Sequence, residues 1–363
     1  MTLLPGSEAL KLLFPATASQ TYTDTANYGL PPRTTIAALQ HALERWSDGS
    51  ADWVEDWDSA GDSCRELFAP MIHAEPAEIA LMPAASVGAG LVAASLEPGG
   101  EILVPEDEFR SILFPLLAAA RARGTSVRRV PFGRLAEEIR SDTTLVATSH
   151  VRSNGGALQD LEAVGEAAQQ HGTRVLIDAT HSAGVLNVDV GATRVDFLVA
   201  AAYKHLLCPR GVAFLYVSRD GWDDLAPYVS SWRSAAEPYA SFYGGDLSDL
   251  APSAARFDVS LAWHAWFGAH ESLSLLSEID CAAREAWAVG LASQFAAGIG
   301  VPPTGSSIVG FECGDLDGAR EALRDAGVVA SFPHGAARVS FHVYNTEEDV
   351  ETAIRACEAL VRY

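Results

Sequence analysis

The residues with the most chemical potential lie in two stretches, VLIDATHSAG at 175–184 and DFLVAAAYKHLLCPRG at 196–211. The first closes an apolar run with a carboxylate, Asp178. The second closes another with Lys204, one of two lysines in the chain; the other is Lys11. Ala200, Ala201, Ala202, Leu206 and Leu207 flank Lys204. Apolar surroundings lower an ammonium pKa and free the amine as a nucleophile. An acid at a neighbouring strand end can face the far side of a flat heterocycle held between the two groups. Pyridoxal phosphate (PLP) requires this arrangement: a lysine to form a Schiff base with its aldehyde, and an aspartate to keep its pyridine nitrogen protonated so that the ring accepts electrons.

Adjacent strand ends imply a sheet, and the chain alternates accordingly. Short apolar runs fall at 78–81, 101–104, 127–132, 145–149, 175–178, 197–200 and 212–217, mostly with helical patterns or turn signals between them. This predicts a parallel sheet covered on both faces, with ligands at the strand ends. A helix is expected over 34–47, where Ile36, Leu39, Leu43 and Trp46 share a face. The pattern changes after Gly244. From Ile308 onward it reads strand, helix (316–325), strand (328–332), strand (338–344) and a last helix opened by Thr346 with Asp349 three residues on, a small α+β unit. The expected organisation is an arm over 1–30, a large ligand-binding domain over 31–244 and a small domain over 245–363.

Composition bounds the function. The 363 residues can bury a large core. With 47 acidic against 25 basic residues the formal net charge is -22, which repels phosphate backbones and anionic lipid, so neither a nucleic-acid nor a membrane partner is expected. The five cysteines are scattered and odd in number, suggesting neither a disulfide framework nor a metal site. No basic stretch precedes a long apolar core at the N-terminus, and a cytoplasmic location is expected.

The string Asp-x-x-His-x-x-Gly, followed by a strand and Tyr-Lys-x-Leu-x-x-Pro-Arg-Gly, resembles the class V aminotransferase family of fold-type-I PLP-dependent enzymes. The resemblance extends from about Asn27 to the C-terminus. That family includes aminotransferases, cysteine desulfurases, isopenicillin N epimerase-like proteins and kynureninases. It implies an α/β fold with a large domain built on a mainly parallel seven-stranded sheet, a small C-terminal α+β domain, and a homodimer.

Residue by residue, the resemblance assigns roles. Lys204 would carry PLP, and Asp178 would face its ring nitrogen. His181 would lie near its phenolic oxygen or the substrate carboxylate, and the Tyr203 hydroxyl would reach the phosphate. In LMPAASVGAG, Ser86 stands at a phosphate-gripping threonine position, and as a predicted helix cap; Val87 replaces the usual glutamate. Phe109 would stack on the pyridine face. In SHVRSNGG, Ser153 falls where relatives lay an asparagine beside the phenolic oxygen, with Asn154 one residue later. Arg338, in ARVSFHVYNT, would bind the substrate α-carboxylate, which suits a planar bidentate guanidinium. Asn27 and Gly29 resemble a loop that closes over substrate. Arg256, Phe257 and Asp258 match a stretch offered to the partner's phosphate, although Ser260 and Leu261 depart from it. Trp232, Arg233, Tyr239 and Tyr243 are candidates for the substrate pocket.

The implied activity is chemistry at Cα of an α-amino acid or amino-acid conjugate, with transamination as the default reaction. The alternatives are β-elimination (a C–S lyase), decarboxylation or oxidative deamination in specialised metabolism. A non-catalytic regulatory or assembly protein on the same fold is a reading of another class, and the presence of Lys204, Asp178 and Arg338 together argues against it. Desulfurases of the family carry a reactive cysteine shortly before the arginine motif; VVASFPHGAAR has none.

Overall fold

The computed structural model describes residues 3–357. In chain order the strands are β1 (Thr21–Tyr22), β2 (Ile79–Met82), β3 (Glu101–Pro105), β4 (Ser126–Val130), β5 (Thr143–Ser149), β6 (Arg174–Asp178), β7 (Phe197–Ala201), β8 (Ala213–Val217), β9 (Ile308–Phe311), β10 (Val328–Val329) and β11 (Ala337–Ser340). The α-helices are α1 (Glu8–Lys11), α2 (Arg33–Asp48), α3 (Ser59–Phe68), α4 (Ala85–Ser95), α5 (Arg110–Arg123), α6 (Leu135–Glu138), α7 (Leu161–His171), α8 (Trp263–Ser277), α9 (Cys281–Gly298), α10 (Leu316–Asp325) and α11 (Glu347–Cys357).

Strands β2 to β8 form one seven-stranded sheet in the order β2-β8-β7-β6-β5-β3-β4. Only β8 runs against its neighbours β2 and β7; the other pairings are parallel. Successive strand side chains point to opposite faces, and this sheet divides the core accordingly. Val146, Ile177, Leu198 and Phe214 belong to one apolar cluster, and Leu145, Leu176, Val199 and Leu215 to the other. Helices α4 and α5 pack against each other and on the second face, while α3 and α7 contact the sheet from the first, with α8 lying over α2 and α3. Both faces are thus covered over β2, β3 and β5 to β8, which is why these strands are largely apolar; the edge strand β4 buries only Val130. Although α8 lies beyond the sequence change at Gly244, its packing is with α2 and α3.

The C-terminal unit contains the antiparallel pair β9–β11 with α9, α10 and α11 packed around its own apolar core. The strand expected at 338–344 ends at Ser340, because residues 342–345 form a turn in which the Asn345 amide donates to the His342 carbonyl, and the strand expected at 328–332 forms only over Val328–Val329. Thr346 and Asp349 open α11 reciprocally: the Thr346 amide donates to Oδ2 of Asp349, and the Asp349 amide to Oγ1 of Thr346.

The N-terminal segment stitches the two units together. Strand β1 pairs in parallel with β10, and the Gly29 amide donates to the Tyr203 carbonyl beside Lys204. A side chain at Gly29 would run into the Lys204 backbone, so only glycine lets this segment lie there.

The helix expected over 34–47 forms as α2, but only part of its apolar stripe packs inward: Leu39 lies against Gly268 of α8. Ile36, Leu43 and Trp46 are 40%, 50% and 63% exposed, while Thr35 and Ala42 are buried. Periodicity identifies residues that share a face and leaves open what covers it. No described helix is long and apolar enough to cross a membrane.

Candidate active site

The sheet brings Asp178 and Lys204 together at the carboxyl ends of β6 and β7, neighbours in parallel register with Asp178 opposite Val199. Beyond β7 the chain turns tightly. The Ala202 amide donates to Val212, the Leu207 amide to Lys204 and the Cys208 amide to Ala202. The Asp-x-x-His-x-x-Gly motif has a physical basis here. Gly184 has φ +93°, and an added Cβ would stand 2.6 Å from the carbonyl oxygen of His205, so glycine allows the turn after Asp178 to press against the turn that carries Lys204.

Lys204 is buried, and burial lowers its ammonium pKa from 10.5 to about 8. Its Nζ lies 3.1 Å from Nε2 of His181 and 5.3 Å from the centroid of the Phe109 ring. No described carboxylate forms an ion pair with it. His181 is held neutral by burial and by the Lys204 charge, and its Nε2 accepts from Nζ when the amine is protonated. Behind it stand two more buried histidines, with ring centroids 5.7 Å apart from His181 to His205 and 5.7 Å from His205 to His342. Burial holds these neutral as well. Asp178 accepts from the Thr180 amide at Oδ1, 2.9 Å, and burial raises its pKa.

These groups line a cavity of about 160 Å³ with Ser86, Phe109, Ser153 and Tyr203. Its floor is the start of α4. The expected cap by Ser86 is not what the structure has. The N-cap residue is Ala84, with no side-chain hydrogen bond, and Ser86 lies inside the first turn. The first-turn amides of Ala85 and Ser86 therefore have no intrahelical acceptor and no capping side chain, which favours an anion. Val87 packs against the core beside α4 and does not line the cavity.

Arg338, on β11, is buried behind Ser153. Its Nε donates to Ser331 Oγ at 3.1 Å and its Nη1 to the Ser153 carbonyl at 2.6 Å, while Nη2 stands 3.9 Å from Asp24. Nη2 makes no hydrogen bond. Burial lowers the pKa of this arginine and raises that of Asp24.

Several candidates lie elsewhere. Asn27 donates to Asp24 at 3.2 Å and does not line the cavity. Asn154 is 3.5 Å from Asp107. Trp232 packs edge-on against Trp53 and beside Phe242, away from Lys204. Arg233 is no pocket residue: it is buried between Asp58, Asp62 and Asp258 at 3.0, 2.9 and 2.9 Å. Tyr239 donates to Asp58, and Tyr243 is exposed. Asp258 accepts from Arg65 at 2.6 Å and from the Leu81 amide at 2.8 Å, which commits it to its own subunit's core. Phe257 is buried, and Arg256 is 3.6 Å from Asp223.

Three residues of this region carried no assigned role in the sequence. Arg210 lines the cavity with its guanidinium 5.1 Å from the Tyr203 ring; the Pro-Arg-Gly signature was its signal. Glu108 is buried and accepts from the amide and hydroxyl of Ser149 and from the Phe109 amide, fixing where Phe109 stands. Asp24 faces Arg338. An isolated acidic residue in a loop sequence gives no sign of burial.

The residues present fit PLP: an amine of lowered pKa, a carboxylate with one oxygen without a hydrogen-bond partner, an aromatic ring and a helix start with unpaired amides surround one cavity. Together with the sheet order they define an α/β enzyme of the fold-type-I PLP class. Residues 21–304 match the family model for aminotransferase class-V, and the chain belongs to that family. Among its relatives are the uncharacterized aminotransferase YcbU of Bacillus subtilis, 28% identical over 366 residues with 96% of each chain covered. The kynureninase of Deinococcus radiodurans is 31% identical over 66% of this chain and 60% of its own. The solved complex of the cystine C-S lyase C-DES with cysteine persulfide shares the fold, with TM-score 0.86 and 21% identity over 96% of this chain and 99% of that one.

Proposed function

We propose that this protein holds PLP on Lys204 and acts at Cα of an α-amino acid or amino-acid conjugate, transferring its amino group. The observation that carries this reading is Lys204: a buried amine without a carboxylate partner, titrating near pH 8 and resting on a neutral imidazole. PLP, when bound, supplies an aldehyde for that amine and a ring that accepts electrons from Cα. The chain supplies the rest. The α4 amides with Ser86 and Tyr203 hold the phosphate. Asp178 would keep a proton at the ring nitrogen, Phe109 would cover a ring face, and His181 and Ser153 would serve the phenolic side; all four line the cavity. Arg338, whose Nη2 stands 3.9 Å from Asp24 and makes no hydrogen bond, would receive the substrate carboxylate. The Lys204 amine would move the proton at Cα.

A second reading, β-elimination with C–S cleavage, is favoured by the likeness to a cystine C-S lyase. The chain is also read as a homodimer, because the stripe Ile36, Leu43 and Trp46 offers a second copy an apolar face.

The purified, PLP-loaded protein is expected to be yellow, and Lys204→Ala to lose that visible absorbance. Borohydride reduction followed by peptide mapping should place the pyridoxyl group on Lys204. A label on Lys11, or on neither lysine, would refute the reading. Products then separate the reactions: a 2-oxo acid formed only when a second 2-oxo acid accepts the amino group marks transfer, whereas release of sulfide, pyruvate and ammonia from cysteine marks elimination.

A further inference from the structure

A second cavity, of about 610 Å³, opens beside the one at Lys204 and shares Phe109, Ser149 and Ser153 with it. The inner cavity, about 160 Å³, lies below the size range of sites that enclose both a cofactor and a drug-sized ligand; the outer one lies within the ligand range. A substrate reacting at Lys204 therefore has one roomy direction in which to send its side chain.

The walls of that outer cavity have a definite chemistry. Phe109, Leu113, Phe114, Phe132 and Pro333 give it an apolar, largely aromatic lining. Arg110, Arg129, Arg152 and His334 also line it, in a chain whose formal net charge is -22. Two guanidinium groups lie near aromatic rings, Arg110 at 5.7 Å from the Phe114 centroid and Arg152 at 5.9 Å from that of Phe132. Arg152 is also paired with Asp107. Glu108 is buried and occupied by Ser149, and Glu106 is the remaining acid of the wall. Among the described residues, Arg110 and Arg129 have no carboxylate within ion-pairing distance, so two fork-shaped donors are available to an anion.

We propose that the outer cavity is the substrate's side-chain pocket and selects α-amino acids whose long side chain has a flat apolar body and a terminal carboxylate. This rests on the reading of Lys204 as the PLP-bearing residue. The aromatic lining receives the body through dispersion and stacking, and Arg110 and Arg129 receive the carboxylate. A cationic end would meet the same arginines and be repelled.

The test titrates the PLP-loaded protein with L-alanine, L-phenylalanine, 4-carboxy-L-phenylalanine and 4-aminomethyl-L-phenylalanine, with Kd read by calorimetry. The carboxy compound is expected to bind about tenfold or more tighter than L-phenylalanine, the margin of one charge-assisted hydrogen bond, and the aminomethyl compound more weakly than L-phenylalanine. In the double variant Arg110→Gln, Arg129→Gln the ratio of the phenylalanine and carboxyphenylalanine Kd values should fall to within about threefold of unity. That ratio cancels any loss common to both ligands, and a melting temperature checks the fold. Binding of L-alanine without a preference for the carboxy compound, a preference for the aminomethyl compound, or a carboxylate preference that survives the double substitution would overturn this proposal alone. Failure of all four, L-alanine included, would overturn the reading of Lys204 and this proposal with it.

Discussion

Lys204 should destabilise the cofactor-free fold, and the cost can be worked from its titration. Its pKa falls from 10.5 to about 8 because burial disfavours the ammonium. At about 1.4 kcal/mol per pH unit, that interval is worth about 3 kcal/mol. The sign follows from proton counting. Between pH 8 and 10.5 the unfolded chain binds the proton and the folded chain does not, so the stability of the wild type rises with pH across that window, while below pH 8 the full penalty applies. Replacing Lys204 with methionine removes the charge and keeps most of the volume. No described carboxylate is ion-paired to Lys204; the change leaves His181 Nε2 without its hydrogen bond and Asp178 without a favourable charge, and both return part of the gain. Cofactor-free Lys204→Met is therefore expected to be about 1–3 kcal/mol more stable than cofactor-free wild type at pH 7. The difference should shrink as pH rises through 8 to 10.5. Urea denaturation at a series of pH values measures it, and the comparison between the two proteins cancels tyrosines and cysteines that titrate in both. A variant no more stable than wild type at pH 7, or a difference that does not change with pH, would refute the reasoning.

Asp178→Asn should retain PLP yet lose about a hundredfold or more in kcat, since the amide cannot hold the ring nitrogen's proton; near-normal turnover would mean that the ring is not used as an electron sink. Asp258→Asn should cost about 3–5 kcal/mol by urea denaturation, because it leaves Arg65 and Arg233 buried and under-compensated. If Asp258 instead served a partner's phosphate, stability would hold and cofactor affinity would fall. During turnover with cysteine, mass spectrometry should find no persulfide on the protein: burial raises the Cys64, Cys208, Cys281 and Cys313 thiols, and pushes Cys357 up to about 12.

What was legible in the sequence, and what was not, divides along the range of the interactions involved. Six of the seven strands were legible because a strand buried on both faces writes its burial into consecutive residues; the edge strand β4 buries only Val130. The Asp178–Gly184 motif was legible because its constraint is local: a strand end, a turn and a glycine where a Cβ would meet the next turn. Ser86 misled because a serine near a helix start signals a cap only when its position relative to the first turn is known, and here that turn begins one residue earlier. Arg233 and Trp232 misled for a different reason. Their destinations are set by Asp58, Asp62 and Trp53, some 170 residues away in sequence, and no local pattern announces such a partner. Arg338 lies between these cases. Its motif marked it as a carboxylate binder, but the features that hold it ready, the Ser153 carbonyl, the Ser331 hydroxyl and the Asp24 carboxylate, come from three distant parts of the chain. The same division explains why the family is easier to read than the substrate. The chemistry at Cα depends on residues fixed by local turns at two adjacent strand ends. Selection of a side chain depends on a wall assembled from the ends of β3, β4 and β5, the start of α5 and the loop before β11, where a change of one arginine alters the ligand without disturbing the motif.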